Sequence, residues 1–167
     1  MFKVSHAALI FISGCIWLIV GCFLLSLGLN YIISTLLQAN ISQSHPVLSF
    51  LTPYVGNLDN AALVWIAISL FIGFLKGKKV FAKAVKKAID RIRNLPNPAP
   101  LGKIYPPAYY LLLASMGLLG FLMRYVPVDV RGGVDVAVGS ALINGAVLYF
   151  RGAWGVRQKQ RQSQSHL

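Results

Sequence analysis

Apolar positions in this chain gather into long runs, with neither strict alternation nor narrow stripes. The first run covers about 7–37 and is interrupted only by isolated Ser, Gly, Cys, Thr and Asn. About 20 apolar residues in a helix cross the hydrocarbon core of a bilayer. This run exceeds that and can tilt or extend beyond it. A second run, about 60–76, opens after Asp59 and closes at Lys76-Gly77. A third, about 105–126, is entered through Pro106-Pro107 and closes at Arg124-Tyr125-Val126-Pro127. Proline in the first turn of a helix costs little. Val128 to Gly132 then reads as a short loop, and a fourth run covers about 133–151, ending at Arg151. The polar, basic stretch 158–167 reads as a disordered tail.

The intervening segments differ from one another. Residues 38–60 contain no Lys or Arg and carry Pro46, Pro53 and Gly56, which predicts a loop with a short amphipathic piece around Val47 to Tyr54. Residues 77–94 place Val80, Phe81, Ala84, Val85, Ala88, Ile89 and Ile92 at helical spacing, with Lys79, Lys83, Lys86, Lys87, Arg91 and Arg93 between them. That is an apolar stripe with a basic face. This helix either continues the second span or turns to lie on the membrane, and the prolines at 96, 98 and 100 end it. Ile12-Ser13-Gly14-Cys15 has the form of a lipoprotein cleavage box, but the chain stays apolar well past it, so the run reads as an uncleaved span. Cys15 and Cys22, seven apart on one helix, read as small packing residues.

The expected fold is all-α: an integral membrane bundle of four transmembrane helices in two hairpins, with a cytoplasmic amphipathic basic helix after the second span. Residues 1–157 form a single transmembrane domain. A weak duplication is visible, since Asp59 opens the second run and Asp135 the fourth, each followed after a similar interval by a basic residue and Gly. Both halves would insert in the same orientation.

Composition agrees. Of 167 residues 56% are hydrophobic and 12% charged, against about 25% charged in soluble domains. Glu is absent, four Asp face sixteen Lys and Arg, and the net charge is +12. Such a charge can signal nucleic-acid binding, but its placement excludes that. Fourteen of the basic residues fall at the N-terminus, in 76–103 and after 150, and two fall between the third and fourth runs. That asymmetry predicts both termini in the cytoplasm, in a bacterial inner (plasma) membrane.

Catalytic chemistry has no foothold. His6, His45 and His166 are scattered, and no acid pair, metal-ligand spacing or phosphate loop occurs. No enzyme, metal or cofactor is implied. Ionisable residues at membrane depth are the default functional candidates, and the nearest here are Asp59, Arg124 and Asp135. They suit either an ion-pair cluster or a polar vestibule. Ser69, Ser140 and Asn144 are the candidate intramembrane polar groups, as packing contacts or transport ligands. Ser69, Gly73 and Gly77, with Ala141 and Gly145, form small-residue faces that suit close helix contact within the chain or in a homo-oligomer. The expected partners are the bilayer and its anionic headgroups, contacted through Lys79, Lys83, Lys86, Lys87 and Arg91. Near an anionic leaflet each such cation gains about 1 kcal/mol. The leading expectation is a small oligomeric transporter or channel-type protein. The alternative is a membrane scaffold or assembly factor that uses its basic helix to hold anionic lipid or an acidic partner.

Overall fold

A computed structural model describes residues 3–4, 6–37, 45–93, 99–100, 118 and 120–164. Its elements are α1 (His6–Leu37), α2 (Pro46–Val55), α3 (Leu58–Lys76), a π-helical segment (Gly77–Phe81), α4 (Ala82–Arg93), a 3-10 turn (Met123–Tyr125) and α5 (Val128–Gln164). Two short strands, β1 (Lys3–Val4) and β2 (Ala99–Pro100), pair antiparallel. Three helices are long and apolar enough to cross a membrane: His6–Leu37, Leu58–Lys79 and Val128–Gln158. The run expected to span 105–126 lies outside the described residues except near its end. Large apolar side chains point outward all along these helices, Ile19, Phe23, Leu63 and Phe71 among them. In water such a surface would aggregate; in lipid it is matched.

The bundle is built on α1 against α5. Gly14 lies against Tyr149 and Phe150, Gly21 against Gly139 and Ile143, and Gly28 against Gly132 and Val136. Ascending numbers on α1 meet descending numbers on α5, so the two are antiparallel. The contact residues recur every seven positions on both helices: Gly14, Gly21 and Gly28 on α1, and Gly132, Gly139 and the buried Ala146 and Ala153 on α5. A strict seven-residue repeat implies a left-handed supercoil. Absent β-carbons let the backbones touch. At Gly28 a β-carbon would sit 2.7 Å from the Gly132 carbonyl oxygen, and at Gly139 it would sit 2.6 Å from Leu25 N. Lipid gives helices little hydrophobic reason to associate, so close packing of this kind supplies the attraction.

Alongside α5, and parallel to it, runs α3. Its Gly73 abuts the Ala137 backbone, and Gly77 meets Ala141 and the Asn144 side chain. Small residues on the second span thus face the last one within the chain. The described inward positions of this long helical run fall at intervals of four or eight residues: Ser69, Gly73, Gly77, Val85 and Ile89. In an ideal α-helix each four-residue step turns the face by about 40°. A face held inward over that length must lose the drift somewhere. The wide π-helical turn at Gly77–Phe81 takes back part of it, and α4 follows with Val85, Ala88 and Ile89 against the bundle. There Val85 joins a core with Leu9, Ile10, Tyr149, Ala153 and Val156.

Three expectations near the ends of α5 are corrected. Residues 128–132 are the first turn and a half of α5, where a loop was expected. Pro127 and Gly132-Gly133 carry turn chemistry, yet the Pro127 carbonyl accepts the Arg131 N–H at 3.0 Å and starts the helix. The two glycines serve close approach, Gly132 to Ile32 and Gly133 to the Trp65 indole. The last span therefore does not begin at 133, and Asp135 lies two turns inside α5, out of register with Asp59 in the first turn of α3. That removes the strongest landmark of the duplication. Finally, α5 runs to Gln164, through most of the expected disordered tail. Gln, Lys and Arg are good helix formers, and no Gly or Pro interrupts them beyond Gly155.

Candidate functional sites at the two ends of the bundle

The ends of the bundle are chemically distinct. At the end where α5 begins, α2 lies across the helix tips. Leu48 is fully buried with Ile32, Ala61, Ala62 and Val136, and Leu51, Val55 and Trp65 pack around them. The first turn of α2 exposes amides that need acceptors. Pro46, at the start, has no N–H to satisfy, and the side chain of the N-cap residue His45 makes no capping bond. Asp129 supplies the cap from α5. Its Oδ2 accepts the Val47 N–H at 2.8 Å and the Leu48 N–H at 3.3 Å, while Oδ1 accepts the Val130 N–H at 2.8 Å. The residue is 0% exposed. A carboxylate at a helix N-terminus gains from the helix dipole as well as from the bonds. The Trp65 indole N–H donates to the Asp129 backbone carbonyl at 2.9 Å. One aspartate thus joins α2, α3 and α5. The imidazole nitrogens of neighbouring His45 are buried without partners.

The residues expected at this end sit on different elements. Asp59 is exposed in the first turn of α3, Arg124 is exposed in the 3-10 turn, and Asp135 is half-buried on α5. Among the described residues no ion pair joins the three. A different arginine reaches α1: the Arg131 guanidinium lies 4.5 Å from the centroid of the Tyr31 ring, a cation–π contact. Of the candidate intramembrane groups, Ser69 is buried, the Ser140 hydroxyl donates to the Leu70 carbonyl at 3.4 Å, and the Asn144 amide donates to the Ser140 carbonyl at 3.3 Å. Ser140 ties α5 to α3, and Asn144 bonds within its own helix.

At the other end α4 is anchored by Val85, with Ala88 and Ile89 packed against the same core. Ile89 covers Gly152 of α5, where a β-carbon would lie within contact of its side chain. With Val85, Ala88 and Ile89 turned inward, Lys79, Lys83, Lys86, Lys87 and Arg91 are all exposed. They lie level with the α5 segment that carries exposed Arg151, Trp154 and Arg157. Tryptophan and basic residues together mark the depth of lipid headgroups. Asp90 is the one acid on α4.

Two features escaped the sequence reading. The seven-residue glycine spacing of α1 was present in the sequence and is the signal that reveals the α1–α5 contact. For Asp129 the flanking residues carry no signal, since the amides it caps belong to a distant helix. No protein-family model matches the chain, and no similar curated protein or solved structure was found.

Proposed function

We propose that this chain is a non-catalytic, multi-pass membrane protein that holds anionic lipid headgroups on its basic helix at the cytoplasmic face. The observation that carries this reading is the docking of α4. Its Val85, Ala88 and Ile89 pack on the bundle, so its four exposed cations, with Lys79 on the preceding π-helical turn, are held in a fixed array at headgroup depth. Charges near an anionic leaflet are attracted over roughly a Debye length, about 8 Å at physiological salt. The basic end is cytoplasmic by the charge asymmetry, in a plasma membrane of bacterial type. Four crossings are part of the reading. The α4 helix lies at the basic end and α5 starts at the opposite one. The chain between them must cross the bilayer, and 105–126 is the apolar run available for it.

A test compares hydrogen exchange of the full chain in nanodiscs of phosphatidylglycerol and of phosphatidylcholine. The α4 amides should exchange more slowly in the anionic discs. The variant K79Q/K83Q/K86Q/K87Q should abolish the difference, as should high salt. Equal exchange in both lipids would remove the proposal.

A transport role in an oligomer is the second reading. It draws on a groove of about 470 Å³ between α3 and α5, lined by Trp65, Ser69, Gly73, Lys76, Ala137 and Ala141 among others. This groove is mostly apolar, and the Ser140 and Asn144 side chains bond to backbone carbonyls. Both facts favour packing over a polar path. Solute flux in reconstituted vesicles that changes on reversing Asp59 and Asp135 to lysine would restore this reading.

A further inference from the structure

A cleft of about 590 Å³ opens between the first turns of α1 and the last membrane turns of α5. Ala8 and Phe11 form one wall; Phe150, Ala153 and Trp154 form the other; Arg157 stands at its rim. On α5 these residues follow a spacing of three and four, so they make one stripe. The Phe11 and Phe150 rings meet with centroids 5.2 Å apart, and Ala8 and Ala153 give the cleft its depth. Phe11 is 54% and Trp154 65% exposed. Arg157 stands at the end of the apolar span Val128–Gln158. The cleft therefore passes from aromatic wall to guanidinium along the membrane normal, at the depth where hydrocarbon gives way to headgroups.

That order of chemistry is the order within a phospholipid. We propose that the cleft binds one anionic phospholipid, with an acyl chain along Phe11, Phe150 and Trp154 and the headgroup phosphate on Arg157. Guanidinium groups bind phosphate oxygens through paired, charge-assisted hydrogen bonds. A second copy of this chain is a poorer occupant. The sequence has only four acids: Asp59 and Asp129 lie at the far end, Asp135 is half-buried and Asp90 is on α4. Of these only Asp90, exposed on α4, stands at this end, so a second copy could set at most one carboxylate against Arg157. None of the described wall residues belongs to α4, so the site stands apart from the array of lysines on that helix.

Native mass spectrometry of the full chain in detergent, with added phosphatidylglycerol or phosphatidylcholine, tests this. The unaltered chain should retain one phosphatidylglycerol in preference to phosphatidylcholine. R157Q, an exposed change that leaves the bundle intact, should lower phosphatidylglycerol retention roughly tenfold, the factor expected from losing a charge-assisted contact, and leave phosphatidylcholine retention unchanged. The variant F11A/W154A should lower both, and K86Q/K87Q neither. Retention of phosphatidylglycerol by R157Q at the unaltered level overturns the proposal. So does an equal loss in K86Q/K87Q, which would assign the lipid to general surface charge. A dimer that W154A dissociates would give the cleft to a second copy and overturn it as well.

Discussion

Replacing Asp129 with alanine removes the cap of α2 from a distance. Three amides lose their acceptor: Val130 in the first turn of α5, and Val47 and Leu48 of α2, the latter two in a setting with no described substitute. A hydrogen bond to a charged group contributes about 1.5–3 kcal/mol. The 2.8 Å bond earns that range, and the 3.3 Å bond about half of it. Relief from burying a carboxylate at 0% exposure offsets part of the sum. The expected net loss in the docking of α2 is about 2–3 kcal/mol; beyond it only the first turn of α5, at Val130, is touched, because the α1–α5 glycine contacts share no atom with this cap. Hydrogen exchange in detergent micelles measures it: amides of 47–52 should exchange roughly 30–150-fold faster in D129A, by the usual conversion of free energy to rate. Protection across the glycine contacts of α1 and α5 should hold. Asp129→Asn keeps one carbonyl acceptor without the charge and should cost about 1 kcal/mol. Unchanged protection of α2 in D129A would refute the capping argument. A uniform loss over all helices would refute the claim that the cap is local.

Other expectations concern packing. Gly21→Leu drives a side chain into the Gly139 carbonyl and Ile143, which should cost 1–3 kcal/mol or more by overpacking and lower the thermal unfolding midpoint in detergent. Gly155→Ala, where a β-carbon would meet nothing within 4 Å, should raise that midpoint slightly, as alanine in a helix gains about 0.5–1 kcal/mol over glycine. Trp65→Phe removes the bond to the Asp129 carbonyl and should cost about 1 kcal/mol, visible as faster exchange at the start of α5.

Those sites explain which parts of the fold could be read without coordinates. Spans at 7–37 and 60–76 were legible because lipid demands a continuous apolar run, and α4 because Val85, Ala88 and Ile89 alternate with lysines at helical spacing. The short helix around Val47 to Tyr54 was legible for the same reason. The start of α5 was misread because proline and paired glycines serve turns in water-exposed chains, whereas here Gly132 and Gly133 admit Ile32 and Trp65. The cluster of Asp59, Arg124 and Asp135 was inferred from a shared end alone, which fixes depth but says nothing of position around the bundle. Asp129 was passed over because its bond to Val47 links residues 82 apart in sequence. No pattern within a single helix records such a bond.

The glycine repeat on α1 also bears on how the protein is made. Its complement is α5, which is synthesised and inserted after α3 and α4. Until α5 arrives, the groove along Gly14, Gly21 and Gly28 lacks the partner that fills it in the folded bundle. Membrane helices insert first and associate afterwards, and here association waits on the partner most distant in sequence. The nascent first helix is therefore an open adhesive surface until α5 is inserted. A truncation before Val128 would leave it so permanently, a state that membrane quality control could detect and degrade.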